Sequence, residues 1–185
     1  MRIAVAAALL LAGCGRPVPS APPPPEPDPY PLAPGARWTY RSQIGLKVVR
    51  EVRSASEGVE MVYHLPFMGE QRLPMRRTPQ GVFASRGGVE QLVLRFPLRA
   101  GDRWRIDFPD QDLADCLAEG TEEIAVLGQA KACLRVSVKR TTRRAGREST
   151  DTEWYAPGIG LVRMRVTQFG ITQTFELESY VPGAP

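Results

Sequence analysis

The sequence predicts an all-β fold, a single antiparallel meander of about ten strands that curls into a half-barrel or open barrel. Three observations lead to this prediction. Apolar and polar side chains alternate with a period of two through most of the chain after Gly35, which is typical of strands with one buried face. Glycines interrupt these runs repeatedly and mark turns. Helical periodicity is nearly absent.

The strands are assigned from the alternation, taken in order along the chain. In the first half, the apolar positions that share a face are Trp38 and Tyr40; Val59, Met61, Tyr63 and Leu65; Leu92, Leu94 and Phe96; and Trp104, Ile106 and Phe108. In the second half they are Ala132, Leu134, Val136 and Val138; Val162, Met164 and Val166; and Ile171, Phe175 and Leu177. Because successive side chains point to opposite faces of a strand, each set predicts one strand with an apolar face toward a common core.

One segment departs from the alternation. Residues 110–119 begin with acidic residues, carry apolar side chains at Leu113, Cys116 and Leu117, and are followed by Gly120. Acidic residues at the start and glycine at the end are signals of helix termini. The sequence therefore predicts at most one short helix, near residues 110–119.

A short motif, P-L-x-x-G-x-R-W, occurs twice, from Pro31 to Trp38 and from Pro97 to Trp104. Duplication of a half-domain explains the repeat, and so do two similar entries from a turn into a strand. The second explanation is preferred, because glycine forms the turn and the tryptophan begins the burial of the strand.

The first residues of the chain predict export. One basic residue, Arg2, precedes a compact apolar run and small residues before Cys14, which is the arrangement of a secretory signal and too short for a membrane-spanning helix. The sequence Leu11-Ala12-Gly13-Cys14 resembles the lipobox of bacterial lipoproteins, which implies removal of residues 1–13 and lipidation of Cys14. The proline-rich residues 14–34 then predict a stiff tether, and residues 35–185 a single all-β globular domain.

The lipobox resemblance also predicts where the protein is located. Gly15 departs from the aspartate that often marks retention at the inner membrane of bacteria with two membranes. The protein is therefore expected to be exported and lipid-anchored to the cell envelope. The anchoring membrane is the outer membrane if the host has two membranes, and otherwise the outer face of the plasma membrane.

Two cysteines remain after Cys14, at positions 116 and 133. An even number of cysteines in an oxidising compartment predicts a disulfide between Cys116 and Cys133. Two buried free thiols are the alternative.

The residues of familiar catalytic and metal sites do not occur in the required patterns, so neither enzymatic activity nor a cofactor or metal is expected. The chain has one histidine, His64, and Ser85 is followed by Gly87 but has no glycine two positions before it, so the nucleophile elbow is incomplete. Clustered Cys and His for zinc are missing, and the acids at 107, 110, 112 and 115 are interpreted as a solvated turn in preference to a calcium loop. The turn Gly158-Ile159-Gly160 precedes a β run, whereas a dinucleotide site requires a helix.

The densest group of cations is predicted to project from a hairpin tip. It consists of Lys139, Arg140, Arg143, Arg144 and Arg147. Contact with anionic lipid headgroups is one interpretation, and a charged hairpin that keeps neighbouring strand edges soluble is the preferred one. The net charge of +4 is modest, and an exported domain is not expected to bind nucleic acid.

Two stretches, Pro31–Tyr40 and Glu153–Val162, resemble the opening and closing strands of a recurring class of uncharacterised bacterial lipoproteins. The resemblance implies a β fold and an envelope location. It brings no catalytic residues.

Three functions follow, in order of preference. The first is a non-catalytic lipoprotein that binds a hydrophobic or lipid ligand inside the curled sheet, and its candidate lining residues are Trp38, Tyr40, Tyr63, Trp104, Met164 and Phe175, although a packed core would use the same residues. The second is an assembly or adaptor subunit that binds an envelope protein through a sheet edge or the basic hairpin. The third is hydrolysis of envelope glycans by paired carboxylates. An open cavity favours the first function, and a filled core with an unpaired apolar edge favours the second.

Overall fold

The computed structural model describes residue 28 and residues 30–56, 58–109, 113–143, 146–168 and 170–184. Cys14 and most of the predicted tether lie outside these residues. The all-β prediction is confirmed, with twelve strands in place of about ten. Within the described ranges, no helix is long and apolar enough to cross a membrane.

The strands follow one another closely along the chain. They are β1 (Arg37–Ser42), β2 (Lys47–Ala55), β3 (Gly58–Leu65), β4 (Gly69–Thr78), β5 (Gly81–Arg86), β6 (Val89–Arg95), β7 (Arg103–Ile106), β8 (Leu113–Val126), β9 (Gln129–Thr141), β10 (Glu148–Ala156), β11 (Gly160–Gln168) and β12 (Ile171–Val181).

All twelve strands form one sheet in the order β6-β5-β4-β3-β2-β1-β12-β11-β10-β9-β8-β7, and all pairs are antiparallel. Two six-stranded meanders are thus joined by the pairing of β1 with β12. The two edge strands, β6 and β7, are consecutive in the chain, and the indole Nε1 of Trp104 on β7 donates a hydrogen bond to the Val93 carbonyl of β6 at 3.1 Å. The sheet therefore curls into a barrel-like form whose two edges approach each other.

The register of the pairs identifies the inner face of the sheet. Arg50 on β2 lies opposite Trp38 on β1 and Tyr63 on β3, and directly paired residues share a face. Two residues further along β2, Val52 is opposite Met61, and both side chains are fully buried. These residues belong to one core cluster that extends around the whole inner face.

The two copies of the P-L-x-x-G-x-R-W motif form the same local structure. Gly35 and Gly101 have φ angles of 85° and 91°, in the left-handed region that favours glycine. Their amides donate to the carbonyls of Val52 at 2.8 Å and Ala118 at 2.7 Å, one strand away. Each copy thus opens one of the two meanders through an equivalent turn, as the turn interpretation predicts and as duplication of a half-domain would also produce.

The helix predicted near residues 110–119 is wrong from Leu113 onward, because that segment is the start of β8. Ala114, Cys116 and Ala118 are buried and alternate with half-buried residues, so the true period is two. Pairing with β7 on one side and β9 on the other supplies the backbone hydrogen bonds. Tertiary pairing outweighs the helix-end signals, which are local and weak.

The packed body begins before the predicted boundary at residue 35. Tyr30 and Leu32 are buried within the core cluster, and the Asp28 carbonyl accepts a hydrogen bond from the Gly158 amide at 2.8 Å. Residues 30–34, which were assigned to the tether, therefore belong to the folded domain.

The predicted disulfide is also wrong, since both thiols are free and buried. Cys116 on β8 lies opposite Val138 of β9, whereas Cys133 lies five positions away along the same strand. At about 3.3 Å per residue this separation is roughly 16 Å, and a disulfide requires Cα atoms within about 7 Å.

We expect both thiols to resist alkylation in the folded protein at neutral pH and to react after denaturation. Burial raises the pKa of Cys116 to about 12 and also raises the pKa of Cys133, so little reactive thiolate forms. Mass spectrometry after iodoacetamide treatment measures the modification, and an exposed cysteine introduced by Thr172→Cys is the positive control. A 116–133 peptide linked under non-reducing conditions would contradict the structure.

Candidate functional site: an apolar cavity with a half-buried arginine

An apolar cavity of about 360 Å³ opens at one end of the barrel-like sheet. Its walls come from β2, β3, β11 and β12, which the pairing of β1 with β12 brings together. The wall side chains are Val48, Leu65, Val166 and Phe175. The volume falls within the range of about 300–1,000 Å³ that is typical of small-molecule sites.

The mouth of the cavity is surrounded by exposed apolar side chains. In an antiparallel meander, alternate turns lie at the same end, so the β1–β2, β3–β4 and β11–β12 turns meet there. The apolar rim is defined as Phe67, Met68 and Ile171, which line the cavity there and are 96%, 64% and 63% exposed. Ile44 in the β1–β2 turn is 70% exposed. Phe67 also has a φ of 67°, an unfavourable conformation for a bulky residue and one that is concentrated at functional sites.

The floor of the cavity contains the guanidinium group of Arg50. Its Cζ lies 5.5 Å from the ring centre of Tyr40 and 5.2 Å from that of Tyr63, and its Nη2 is 3.8 Å from the Met164 sulfur. Burial alone would lower the pKa of Arg50, but the surrounding phenols and a nearby carboxylate raise it overall. The arginine is therefore a permanent cation at the floor of an apolar cavity.

Two buried polar atoms at the cavity have no hydrogen-bond partner. They are Nε of Arg50 and Oε1 of Gln173, and both residues line the cavity. Buried polar atoms in folded proteins are nearly always paired, so such exceptions require an explanation. One such explanation is a polar group on a bound molecule that pairs with these atoms.

A second, more polar cavity of about 330 Å³ lies behind Arg50. It shares Arg50, Tyr63 and Leu65 with the first cavity, and its further lining includes Arg86, Arg140, Glu153 and Tyr155. The hydroxyl of Tyr155 donates to Oε2 of Glu153 at 2.5 Å. The Glu153 carboxylate and the Tyr155 hydroxyl are thus hydrogen-bonded to each other on this side of Arg50.

A depression of about 1,040 Å³ lies at the opposite end of the sheet. Arg77 in its wall is paired with Asp28, and its guanidinium also lies 5.0 Å from the ring centre of Phe96. Because the charges of Arg77 and Asp28 in its wall are paired with each other, this depression is a weaker candidate than the cavity at Arg50.

Burial raises the pKa of all five tyrosines, Tyr30, Tyr40, Tyr63, Tyr155 and Tyr180. A folded-state pKa above the unfolded value of about 10 stabilises the fold below that pH, and this contribution is lost as the pH rises above it. We expect tyrosinate absorbance to appear together with the loss of circular dichroism, in one alkaline transition. Tyrosinate formation near pH 10 in a protein that is still folded would contradict this.

The structure separates the six candidate lining residues into three groups. Tyr63, Met164 and Phe175 line the apolar cavity. Trp38 and Tyr40 are packed in the core, where their polar atoms donate to the carbonyls of Ile159 at 2.6 Å and Leu161 at 2.9 Å. Trp104 lies at the sheet edge.

Arg50 is the site residue that the sequence analysis missed. A signal was present, because Arg50 stands between Val48 and Val52 at an inward position of an alternating strand. A charged residue at such a position is rarely buried without a partner or a function.

The basic run does not project as a group from a hairpin tip. Lys139 and Arg140 lie within β9, and Arg140 points inward, where its Nε is 2.5 Å from Oδ2 of the buried Asp151. Lys139 pairs with Glu148 at 2.8 Å, and Arg143 pairs with Asp107. Arg147 is exposed, and Arg144 lies outside the described residues.

The other singled-out polar residues are on the outer surface. His64 lies between Glu51 and Glu70, with nitrogen–oxygen distances of 4.0 and 3.9 Å. Asp115 pairs with Arg105 at 2.7 Å, and residues 110 and 112 are outside the described ranges. No group of three His, Cys, Asp or Glu side chains within the described residues is placed to hold a metal ion.

No family model and no curated protein matches the chain. Solved structures do match it. A protein described as exported, with a YmcC-like fold, from Bacteroides fragilis is 18% identical, with a TM-score of 0.51 over 82% of this chain and 98% of that one. The two share a fold.

Two further solved structures are more distant. A protein assigned as a lipoprotein from Parabacteroides distasonis is 17% identical, with a TM-score of 0.49 over 85% of this chain and 100% of that one. The hypothetical lipoprotein YmcC from Escherichia coli is 11% identical, with a TM-score of 0.43 over 82% of this chain and 86% of that one.

Proposed function

We propose that this chain is an exported, lipid-anchored and non-catalytic protein of the bacterial cell envelope that binds a hydrophobic or lipid ligand. The observation that carries the proposal is the apolar cavity that opens between the β1–β2, β3–β4 and β11–β12 turns. A hydrophobic ligand would enter past the apolar rim and lie between Val48, Leu65, Val166 and Phe175.

The anchor is supported by the sequence alone. The run Leu11-Ala12-Gly13-Cys14 is suited to lipidation at Cys14, and Gly15 favours the outer membrane in a host with two membranes. Two of the solved proteins of related shape are described as lipoproteins and one as exported. Those descriptions apply to those proteins, and they agree with the proposed location.

The apolar rim supports ligand exchange with a lipid phase. Soluble proteins rarely leave several large apolar side chains exposed around one opening, unless the surface meets a ligand, a membrane or a partner. Here the exposed side chains surround the entrance of a cavity that continues inward as an apolar wall. A hydrophobic ligand could therefore move from a membrane into the cavity without crossing a polar surface.

The two alternative functions have less support. An adaptor that binds by strand addition needs a long free edge. The edge strands β7 and β6 have four and seven residues, and the Trp104 side chain of β7 is bonded to β6. Glycan hydrolysis needs two available acids. The inward acids Glu153 and Asp151 are already bonded to Tyr155 and Arg140.

Native mass spectrometry of the lipid-anchored protein from its own host tests the proposal. We expect a stoichiometric lipid in addition to the covalent anchor, which is released and identified on denaturation. Val166→Trp places a large side chain in the cavity and should abolish co-purification. Thr172→Trp, on the exposed outer face of neighbouring β12, is the matched control and should retain the lipid.

Two results would count against the proposal. The first is a wild-type protein that carries no ligand and takes up none from vesicles of host lipids. The second is equal retention of lipid by the folded Val166→Trp and Thr172→Trp variants, since the lipid would then be bound elsewhere.

A further inference from the structure

We infer that the ligand of the apolar cavity is an amphiphile with one apolar chain and an anionic head group, and that the head group pairs with Arg50 at the cavity floor. This inference rests on the proposed function and adds the chemical class of the ligand. The cavity volume of about 360 Å³ is near the lower end of the usual range of about 300–1,000 Å³, which favours one chain over several.

The described lining of the apolar cavity carries positive charge and no negative charge. Among the described residues that line it, Arg50 alone is charged, and no acid faces it. Arg140, a neighbouring arginine on the inner face, has a carboxylate 2.5 Å away on the buried Asp151. Arg50 has two aromatic rings, a thioether sulfur and an unpaired Nε.

Removal of a guanidinium group from water is costly unless an anion or hydrogen bonds compensate. The faces of Tyr40 and Tyr63 offset part of this cost, because aromatic faces attract cations. Glu153 raises the pKa of Arg50 through its charge, but it lines the second cavity and accepts the Tyr155 hydroxyl. The side of Arg50 that faces the apolar cavity is thus open to an anion from a ligand.

The depth of each residue sets the orientation of the ligand. Phe67 is at the mouth, Leu65 lies two residues inward along the same chain segment, and Tyr63 lies two further inward beside Arg50. A head group on Arg50 would therefore be innermost, with the chain directed outward to the apolar rim. Carboxylate and phosphate both match the planar, two-pronged donor geometry of a guanidinium group.

The first experiment compares palmitate with hexadecanol, which have the same chain length but an anionic or a neutral head group. Calorimetric titration of the lipid-anchored protein in a non-ionic amphipol, freed of co-purified lipid, measures both affinities. We expect palmitate to bind about ten-fold or more tightly, because hydrogen bonds to charged groups are strong. Lysophosphatidic acid, as a third probe, distinguishes a phosphate head group from a carboxylate by its affinity relative to palmitate.

Variants then assign the preference to one side chain. Arg50→Met retains an apolar stem without the charge and should remove the preference for palmitate while hexadecanol still binds. Arg50→Lys retains the charge and should restore part of the preference. Arg41→Met removes an exposed outer-face arginine that pairs with Glu178, and should leave both affinities unchanged.

The outcomes distinguish failure of the inference about Arg50 from failure of the proposed function. If palmitate and hexadecanol bind the wild-type protein equally well, the inference about Arg50 is wrong and the proposed function stands. If none of the three probes binds, the inference about Arg50 is wrong, and the proposed function fails with it when the protein also takes up no lipid from vesicles of host lipids. The wild-type comparison needs no variant, so it decides the question even if Arg50→Met does not fold.

Discussion

Gly81→Ala is expected to destabilise the protein by at least about 3 kcal/mol, the sum of a backbone clash and an unfavourable backbone conformation. Gly81 begins β5, is buried and has a φ of 149°. A β-carbon at this position would overlap the carbonyl oxygen of Leu94 on β6 and would lie 3.0 Å from the Cα of Arg95. Because both are backbone atoms of the paired strand, they cannot move without loss of the pairing.

The matched control is Gly87→Ala in the β5–β6 turn. Gly87 has a φ of 57°, and no atom lies within 4 Å of the position of an added β-carbon. Only the conformational cost of about 1–2 kcal/mol applies there. Urea unfolding followed by circular dichroism gives both values, and equal destabilisation by the two variants would show that the clash at Gly81 is not real.

Trp38→Ala is expected to cost about 3–5 kcal/mol, as is typical for the truncation of a buried aromatic side chain. Trp38 is 3% exposed, and its ring stacks on that of Tyr180 at a centroid distance of 5.4 Å. Its indole nitrogen donates to the Ile159 carbonyl in the β10–β11 turn. The side chain therefore joins β1 to two parts of the second meander, strand β12 and the β10–β11 turn.

Phenylalanine variants separate the hydrogen bond from the packing. Trp38→Phe retains an aromatic ring but leaves the Ile159 carbonyl without its donor, so we expect a loss of about 1–3 kcal/mol. Trp104→Phe removes the corresponding bond to Val93 at the partly exposed sheet edge and should cost less. If Trp104→Phe is the more damaging variant in urea unfolding, closure between β6 and β7 matters more than the Trp38 contact.

The solved protein from Bacteroides fragilis shares the fold of this chain. The chemistry of the cavity follows from the residues of this chain alone. Cys14 and most of the predicted tether are outside the described residues, so the proposed anchor depends on the sequence of residues 11–15. The proposed ligand depends instead on Arg50 and the residues around it. These two parts of the proposal can therefore be tested separately.

The sequence alone determined the β fold, because alternation is a local property that each strand carries in its own residues. Val59, Met61, Tyr63 and Leu65 predict their strand without reference to any other part of the chain. It also determined the positions of most turns, since glycines such as Gly35 and Gly101 adopt conformations that other residues avoid.

Tertiary structure decided what depends on pairing between distant segments. The segment at Leu113 carries helix-end signals, and only its partners on β7 and β9 make it a strand. Cys116 and Cys133 were predicted to form a disulfide. The register places Cys116 opposite Val138, which is five positions from Cys133 along β9.

The cavity arises in the same way, because β2 and β3 meet β11 and β12 only after β1 pairs with β12. Sequence periodicity says which face of each strand is buried, but it does not say which faces meet. The position of Arg50 at the floor of an apolar cavity is a consequence of that meeting, so only the tertiary structure could show it.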